Sequence, residues 1–178
     1  MATSEIPRVL MDSCALLAII KDEPGAERLD GLMAMIAQGK AQLVESVLVL
    51  GEVFKRSDAK DESERDRQDR MLEEVRDLLK SREVQLLDVT PPITDQATQF
   101  RRDHGLKLAD AVHLATAVLN RCDWFVTFDR DFLKVGDLRI FRIDRLRAST
   151  VPLPWDLPGQ DPLFDPQSNV VPIRSAER

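Results

Sequence analysis

The chain has 178 residues, 43% of them apolar and 31% charged, a size and balance typical of one globular domain with its own hydrophobic core. Its net charge of −6 argues against a module that coats DNA or RNA by general electrostatic attraction, because such modules are usually basic. The longest apolar runs are too short to cross a membrane, so no membrane association is expected.

The first part of the chain predicts two strands, each followed by helical sequence. Arg8–Met11 is typical of a short buried strand. Residues 14–20 are typical of an apolar helix, which is predicted to start at Ser13. A second helix is predicted over residues 26–38, where a glycine follows as its stop. Residues 42–45 form the second predicted strand, and Ser46 is a favourable N-cap for the helix behind it.

The middle of the chain is strongly charged and then returns to strand and helix. Acidic and basic residues alternate over about residues 55–82, and an apolar stripe over 71–79 has helical spacing. This pattern predicts an exposed helix or helix pair with many ion pairs. A third strand is predicted over residues 83–89, and Thr94 or Asp95 is expected to cap the next helix.

The remaining elements continue the alternation of helices and strands. Gly105 is expected to end one helix, and another is predicted over about residues 108–120. A fourth strand is predicted over residues 124–127 and a fifth over 138–143. Short strands that alternate with helices predict an α/β fold with a mainly parallel, doubly wound sheet of four to five strands.

The last stretch of the sequence has a different composition. Six of the ten prolines lie after residue 150, together with Trp155 and Phe164. We therefore expect one domain over residues 1–147 and a proline-rich C-terminal tail over residues 148–178, either disordered or wrapped over the domain. Aromatic residues in such a tail more often pin it to its own domain than stack on RNA bases.

Four acidic residues lie within otherwise apolar sequence. Asp12 and Asp129 each follow a strand, and because parallel strands end at one edge of a sheet, these carboxylates can meet there. Asp110 lies in the first turn of a helix, where the helix dipole favours a carboxylate, and Glu52 lies in the second turn of another. Singly, each is more often a helix cap or a surface residue. Together they would need a cation, and hard oxygen ligands favour Mg²⁺, with Mn²⁺ as a substitute.

The motifs around these acids resemble the PIN-domain family. The resemblance covers about residues 9–143 and is most specific in its last two motifs. In chain order, the motifs are Asp12-Ser13 after a strand, S-x5-E from Ser46 to Glu52, DAVHLATA over 110–117 and TFDRDF over 127–132. Within the family, the VapC-like toxins of bacterial type II toxin–antitoxin pairs look most similar.

This resemblance implies a PIN-like α/β/α sandwich, with residues 1–147 as the nuclease domain, and a magnesium-dependent endoribonuclease that hydrolyses RNA phosphodiester bonds. Metal ions in such a site activate water and neutralise charge that develops on the phosphate. The resemblance assigns metal-binding, catalytic carboxylates to Asp12, Glu52, Asp110 and Asp129, and adds Asp131 as a candidate further ligand. It also makes Ser13 and Thr127 supports of the site through hydrogen bonds.

The resemblance also implies partners. They are an RNA substrate, an antitoxin protein and a second copy of the chain in a homodimer. Six basic residues near the acidic motifs either line a groove for phosphates or belong to the ordinary charged surface. They are Arg101, Arg102, Lys107, Arg121, Arg130 and Lys134. Cys14 and Cys122 form no CxxC pair, and no signal peptide is evident, so a reduced, cytoplasmic protein is expected.

Two other functions are compatible with parts of the pattern. A non-catalytic PIN-like module would bind RNA or protein without cleavage, but such domains usually lose some of the acids, and all four are present here. A metal-dependent phosphatase that forms an aspartyl-phosphate would carry the motif Asp-x-Asp after its first strand, whereas this chain has Asp12-Ser13-Cys14. His113, three residues after Asp110, is expected to pack or support the site rather than bind metal.

Overall fold

The computed structural model of the protein describes residues 6–54, 59–135 and Trp155. Within these residues a single four-stranded sheet has the strand order β3-β2-β1-β4. All neighbouring strands in it are parallel. The strands are Arg8–Met11 (β1), Gln42–Ser46 (β2), Val84–Leu87 (β3) and Trp124–Val126 (β4).

Helices connect these strands throughout the described part of the chain. The α-helices are Ser13–Lys21 (α1), Asp30–Ala37 (α2), Leu48–Val53 (α3), Glu62–Leu79 (α4), Pro91–His104 (α5) and Leu108–Leu119 (α6). Two short 3-10 helices cover Ala26–Leu29 and Arg130–Lys134. None of the helices described combines the length and apolar character that a membrane span requires.

The sheet has a hydrophobic core on each face, because successive side chains of a strand point to opposite sides. Val9 and Met11 of β1 belong to the cluster formed with α1 to α4. Leu10 belongs to the other cluster, formed with α5 and α6. The predicted α/β/α layering around a parallel sheet is thus confirmed.

The strand order fixes where a site can form. The chain builds the sheet outward from β1 to β3 and then places β4 on the other side of β1. In parallel α/β sheets, ligands bind beyond the carboxyl ends of the strands at such a reversal. The edge where β1 and β4 end is therefore the expected position of the site.

Two predicted helix caps are wrong. Ser46 is the last residue of β2, and Val47 is the residue before α3, although the Ser46 hydroxyl accepts the Leu48 N–H at 3.3 Å. Neither Thr94 nor Asp95 caps α5, which follows Thr90 and begins with the two prolines. Proline suits the first helical turn because its φ is already helical and its missing N–H would have no partner there.

The other predicted boundaries differ by a few residues. The helix predicted over residues 26–38 is divided into the 3-10 helix Ala26–Leu29 and α2. The charged segment contains one long helix, α4, in which Arg67 forms ion pairs of 2.9 Å with both Glu64 and Asp22. Residues 55–58, the predicted fifth strand over 138–143, and the tail other than Trp155 lie outside the described residues.

Trp155 packs onto the domain. Its indole N–H donates to the Arg28 carbonyl oxygen at 2.7 Å, and its ring centroid lies 5.7 Å from that of Trp124. A Cβ atom at Gly31 would lie 2.8 Å from Trp155 Cδ1, so the close approach requires a glycine there. For this residue the prediction that tail aromatics pin the tail to the domain is confirmed.

Candidate metal centre

Asp12 is the first acidic residue of the candidate site and directly follows β1. It is 2% exposed. Its Oδ1 accepts the Ala15 N–H at 2.9 Å and caps α1, and its Oδ2 accepts a hydrogen bond from the Thr127 hydroxyl. Burial raises the pKa of Asp12 to about 7 although both hydrogen bonds oppose this shift. The carboxylate is thus positioned accurately but needs positive charge nearby to stay ionised.

Thr127 connects the two strand ends that carry the acids. Besides donating to Asp12, its fully buried hydroxyl oxygen accepts the Asp129 N–H at 3.0 Å. Asp129 Oδ1 in turn accepts the Asp131 N–H at 2.8 Å, at the start of the second 3-10 helix. Ser13 is buried at the first position of α1, and its supporting role stays a prediction.

Three carboxylates converge beside this chain of hydrogen bonds. One oxygen from each of Asp110, Asp129 and Asp131 lies within 4.8 Å of the others. Among the described residues, no donor reaches Asp110 Oδ2, although this atom is buried. Burial, followed by the charge of Asp129, raises the pKa of Asp110. A hard divalent cation fits this arrangement, because it would supply both the missing partner and the missing positive charge.

Glu52 reaches the same region from α3. Its Oε2 lies 2.5 Å from His113 Nε2, so the imidazole N–H donates to the carboxylate. The His113 side chain is 1% exposed and that of Glu52 is 26% exposed. Glu52 also contributes to the raised pKa of Asp110, so the two carboxylates are electrostatic neighbours.

The four predicted ligands are thus brought to one end of the sheet but are not equivalent. Among the residues described, the group of three converging carboxylates contains Asp110, Asp129 and Asp131. Asp12 and Glu52 stand beside that group, with oxygens engaged by Thr127 and His113.

Asp131 also contacts two lysines. Lys134 Nζ lies 2.8 Å from Asp131 Oδ1, and Lys107 Nζ lies 3.7 Å from Oδ2. The hydrogen bond from Lys134 is the main reason that the pKa of Asp131 is lowered. The Lys107 and Lys134 side chains are 73% and 56% exposed, so the acidic cluster has a positively charged, solvent-facing rim.

One buried acidic residue was not predicted from the sequence. Glu45 in β2 is 0% exposed, and its Oε1 accepts the Met11 N–H at 3.0 Å. Burial raises its pKa well above the ordinary value. The available signal was its place two residues after Leu43, which puts it on the same, buried face of a strand.

A family model described as PIN domain matches residues 9–138 of the chain. The matched range includes every acid of the candidate site. Among curated protein sequences no match is found.

Solved structures share the fold at low sequence identity. A toxin–antitoxin complex from Klebsiella pneumoniae has 20% identity and a TM-score of 0.50, with 77% of this chain and 97% of that chain covered. VapBC2 from Rickettsia felis, bound to a DNA fragment from its promoter, has 14% identity and a TM-score of 0.56, with 77% and 99% covered. VapBC-5 from Mycobacterium tuberculosis has 15% identity and a TM-score of 0.50, with 78% and 98% covered.

Proposed function

The chain belongs to the PIN-domain family, and from that premise we propose that it is a metal-dependent endoribonuclease that hydrolyses RNA phosphodiester bonds. The observation that carries the proposal is the convergence of Asp110, Asp129 and Asp131 around the buried, unpartnered Oδ2 of Asp110 within the described residues. Carboxylates placed so closely repel one another unless a cation lies between them. The catalytic residues of this proposal are Asp12, Glu52, Asp110 and Asp129.

Asp110, Asp129 and Asp131 would hold Mg²⁺, for which Mn²⁺ is a substitute, and Asp12 and Glu52 would be its further carboxylate ligands. When bound, the ion would lower the pKa of water and neutralise charge on the phosphate. All five side chains offer the hard oxygen atoms that such ions prefer.

The other residues of the site position these acids. The Thr127 hydroxyl keeps Asp12 and Asp129 in register, since it bonds to both. His113 orients the Glu52 carboxylate from a buried position. Lys107 and Lys134 at the rim carry charge opposite to that of a nucleic acid backbone and would bring phosphates toward the acidic cluster.

The wider biological role is also a proposal. The similar structures from three bacteria are described as toxin–antitoxin or VapBC assemblies, and we extend this role to the present chain as a VapC-like toxin of the cytoplasm. Its partners would be an RNA substrate, an antitoxin that covers the acidic site, and a second copy of the chain in a homodimer.

The direct test is cleavage of total cellular RNA with Mg²⁺ and with chelator. We expect the wild-type protein to cleave only with the metal, and Asp110→Asn to lose activity by about 100-fold or more, because a charge of the cluster is removed. Asp95→Asn, which makes the same change at an exposed position of α5, should cleave at the wild-type rate. RNA binding without cleavage under every condition would instead identify a non-catalytic module.

A further inference from the structure

Glu45 is a buried carboxyl group that the proposed reaction does not use. Its side chain lies in β2 with no exposed surface, and Oε1 accepts the Met11 N–H at 3.0 Å. In the part of the chain that the structure describes, Oε2 has no hydrogen-bond partner. Burying a carboxyl group with only one of its two oxygens hydrogen-bonded costs free energy. The contact that the other oxygen, Oε1, makes must therefore offset this cost.

The position of Glu45 in the sheet explains why its Oε1 accepts the Met11 N–H. β1 pairs with β2 at Arg8↔Gln42 and Val9↔Leu43, whereas its pairing with β4 continues to Met11↔Val126. The Met11 N–H lies beyond the pairing with β2 and is buried, so it requires another acceptor. The Glu45 side chain provides it in place of a backbone carbonyl.

This contact lies one residue before the acid at the end of β1. On the other side, the Asp12 N–H donates to the Val126 carbonyl oxygen at 2.9 Å. Two successive peptides at the end of β1 are therefore held from opposite sides, because the Leu10–Met11 peptide donates to Glu45 and the Met11–Asp12 peptide donates to β4. If the first of these contacts were lost, the end of β1 could shift and move the Asp12 carboxylate relative to Thr127.

We propose that Glu45 is a positioning residue for Asp12, because its carboxyl group fixes the end of β1 from the β2 side. It acts as a hydrogen-bond acceptor and not as a metal ligand. Burial, then the charges of Asp12 and Glu52, favour its protonated form, which still offers a carbonyl oxygen to the Met11 N–H. Its effect on RNA cleavage rests on the proposed function, but its effect on the end of β1 does not.

Two variants separate the acceptor from other properties of the side chain. Glu45→Gln keeps an oxygen acceptor at nearly the same size, and Glu45→Met keeps the length but removes the acceptor. Gln68→Met makes a similar change at a buried position of α4 and serves as the control. The first readout is hydrogen exchange of the Met11 amide, measured by NMR in chelator, with the buried Cys122 amide, which donates to the Ala117 carbonyl oxygen at 2.9 Å, as an internal reference.

We expect Glu45→Met to speed exchange of the Met11 amide by about tenfold or more while the Cys122 amide stays protected. We also expect it to weaken Mn²⁺ binding by about 10–100-fold, the usual cost of losing a group that orients a metal ligand. Glu45→Gln and Gln68→Met should stay within about threefold of wild type in both measurements.

The proposal would be overturned if folded Glu45→Met exchanged its Met11 amide and bound Mn²⁺ as the wild type does. It would also be overturned if Glu45→Gln lost as much Met11 protection and Mn²⁺ affinity as Glu45→Met. Should Glu45→Met fail to fold, Glu45→Gln decides: retained Met11 protection supports the proposal, and lost protection overturns it. A wild-type protein that does not cleave RNA would count against the proposed nuclease, while the exchange of the Met11 amide would still test Glu45.

Discussion

The Thr127 hydroxyl donates a hydrogen bond to Asp12 Oδ2 and thereby ties the end of β4 to the end of β1. The same oxygen accepts the Asp129 N–H at 3.0 Å, so one side chain sets the spacing of two acids that are far apart in sequence. Both Thr127 and Asp12 are buried, which keeps water from replacing the hydrogen bond between them.

Thr127→Val should damage the site with little change in shape, because valine has nearly the volume of threonine but no hydroxyl. The substitution leaves a buried Asp12 oxygen and the Asp129 N–H without their partner, which should lower the free energy of unfolding by about 1–3 kcal/mol. We also expect RNA cleavage to fall by about 10–100-fold. Urea denaturation and the cleavage assay measure the two effects.

The matched control for this prediction is Thr127→Ser, which keeps the hydroxyl and removes only a methyl group. It should retain more activity than Thr127→Val. Equal activity in wild type and Thr127→Val would show that the hydroxyl does not position the acids.

His113→Phe should remove the N–H that orients Glu52 while it keeps a ring in the core. The side chain is 1% exposed, and its Nε2 lies 2.5 Å from Glu52 Oε2. We expect RNA cleavage to fall by about 10–100-fold, and His113→Gln, which retains an N–H donor, to recover part of the loss. Single-turnover cleavage rates of the two folded variants would measure this. Equal rates for His113→Phe and His113→Gln would argue against a role for the hydrogen bond.

The sequence predicted the layers of the fold better than the contacts of the site. Apolar strand and helix patterns located β1 and α6 because burial imposes their periodicity. Glu45 was missed because its role depends on where β1 stops pairing with β2, which is a tertiary feature. The contact between His113 and Glu52 joins residues 61 positions apart, and no local pattern reports such a pairing.

Asp12 should make the stability of the protein depend on pH in chelator. Its pKa is raised from an ordinary value of 3.8 to about 7 in the folded protein, mainly by burial. The folded state therefore binds the proton more tightly than the unfolded state, and the free energy of unfolding should fall as the pH rises from about 4 to about 7. Saturating Mn²⁺ should reduce this fall, because a cation favours the ionised carboxylate.

Asp12→Asn isolates the contribution of this residue from the rest of the protein. Urea denaturation between pH 4.5 and 7 in chelator should show a smaller decrease in stability for Asp12→Asn than for wild type. Parallel pH profiles of the two proteins would contradict the assignment.

Gly31→Ala should displace Trp155, because the new Cβ would lie 2.8 Å from Trp155 Cδ1. In the wild-type background we expect a loss of stability of about 1 kcal/mol or more from this overpacking, measured by urea denaturation. In a Trp155→Ala background the same substitution should stabilise α2 by about 0.5–1 kcal/mol, since alanine is the better helix former. The same effect in both backgrounds would mean that Trp155 does not pack against Gly31.

The central claim is that Asp110, Asp129 and Asp131 together bind a hard divalent cation. Isothermal titration calorimetry with Mn²⁺ tests this most directly, with wild type, Asp110→Asn and the exposed control Asp95→Asn. We expect binding to wild type and Asp95→Asn with equal affinity, and a loss of about tenfold or more in folded Asp110→Asn, because both oxygen ligands and charge set the affinity of such sites. Equal Mn²⁺ affinity in wild type and Asp110→Asn, or no binding to either, would contradict the account.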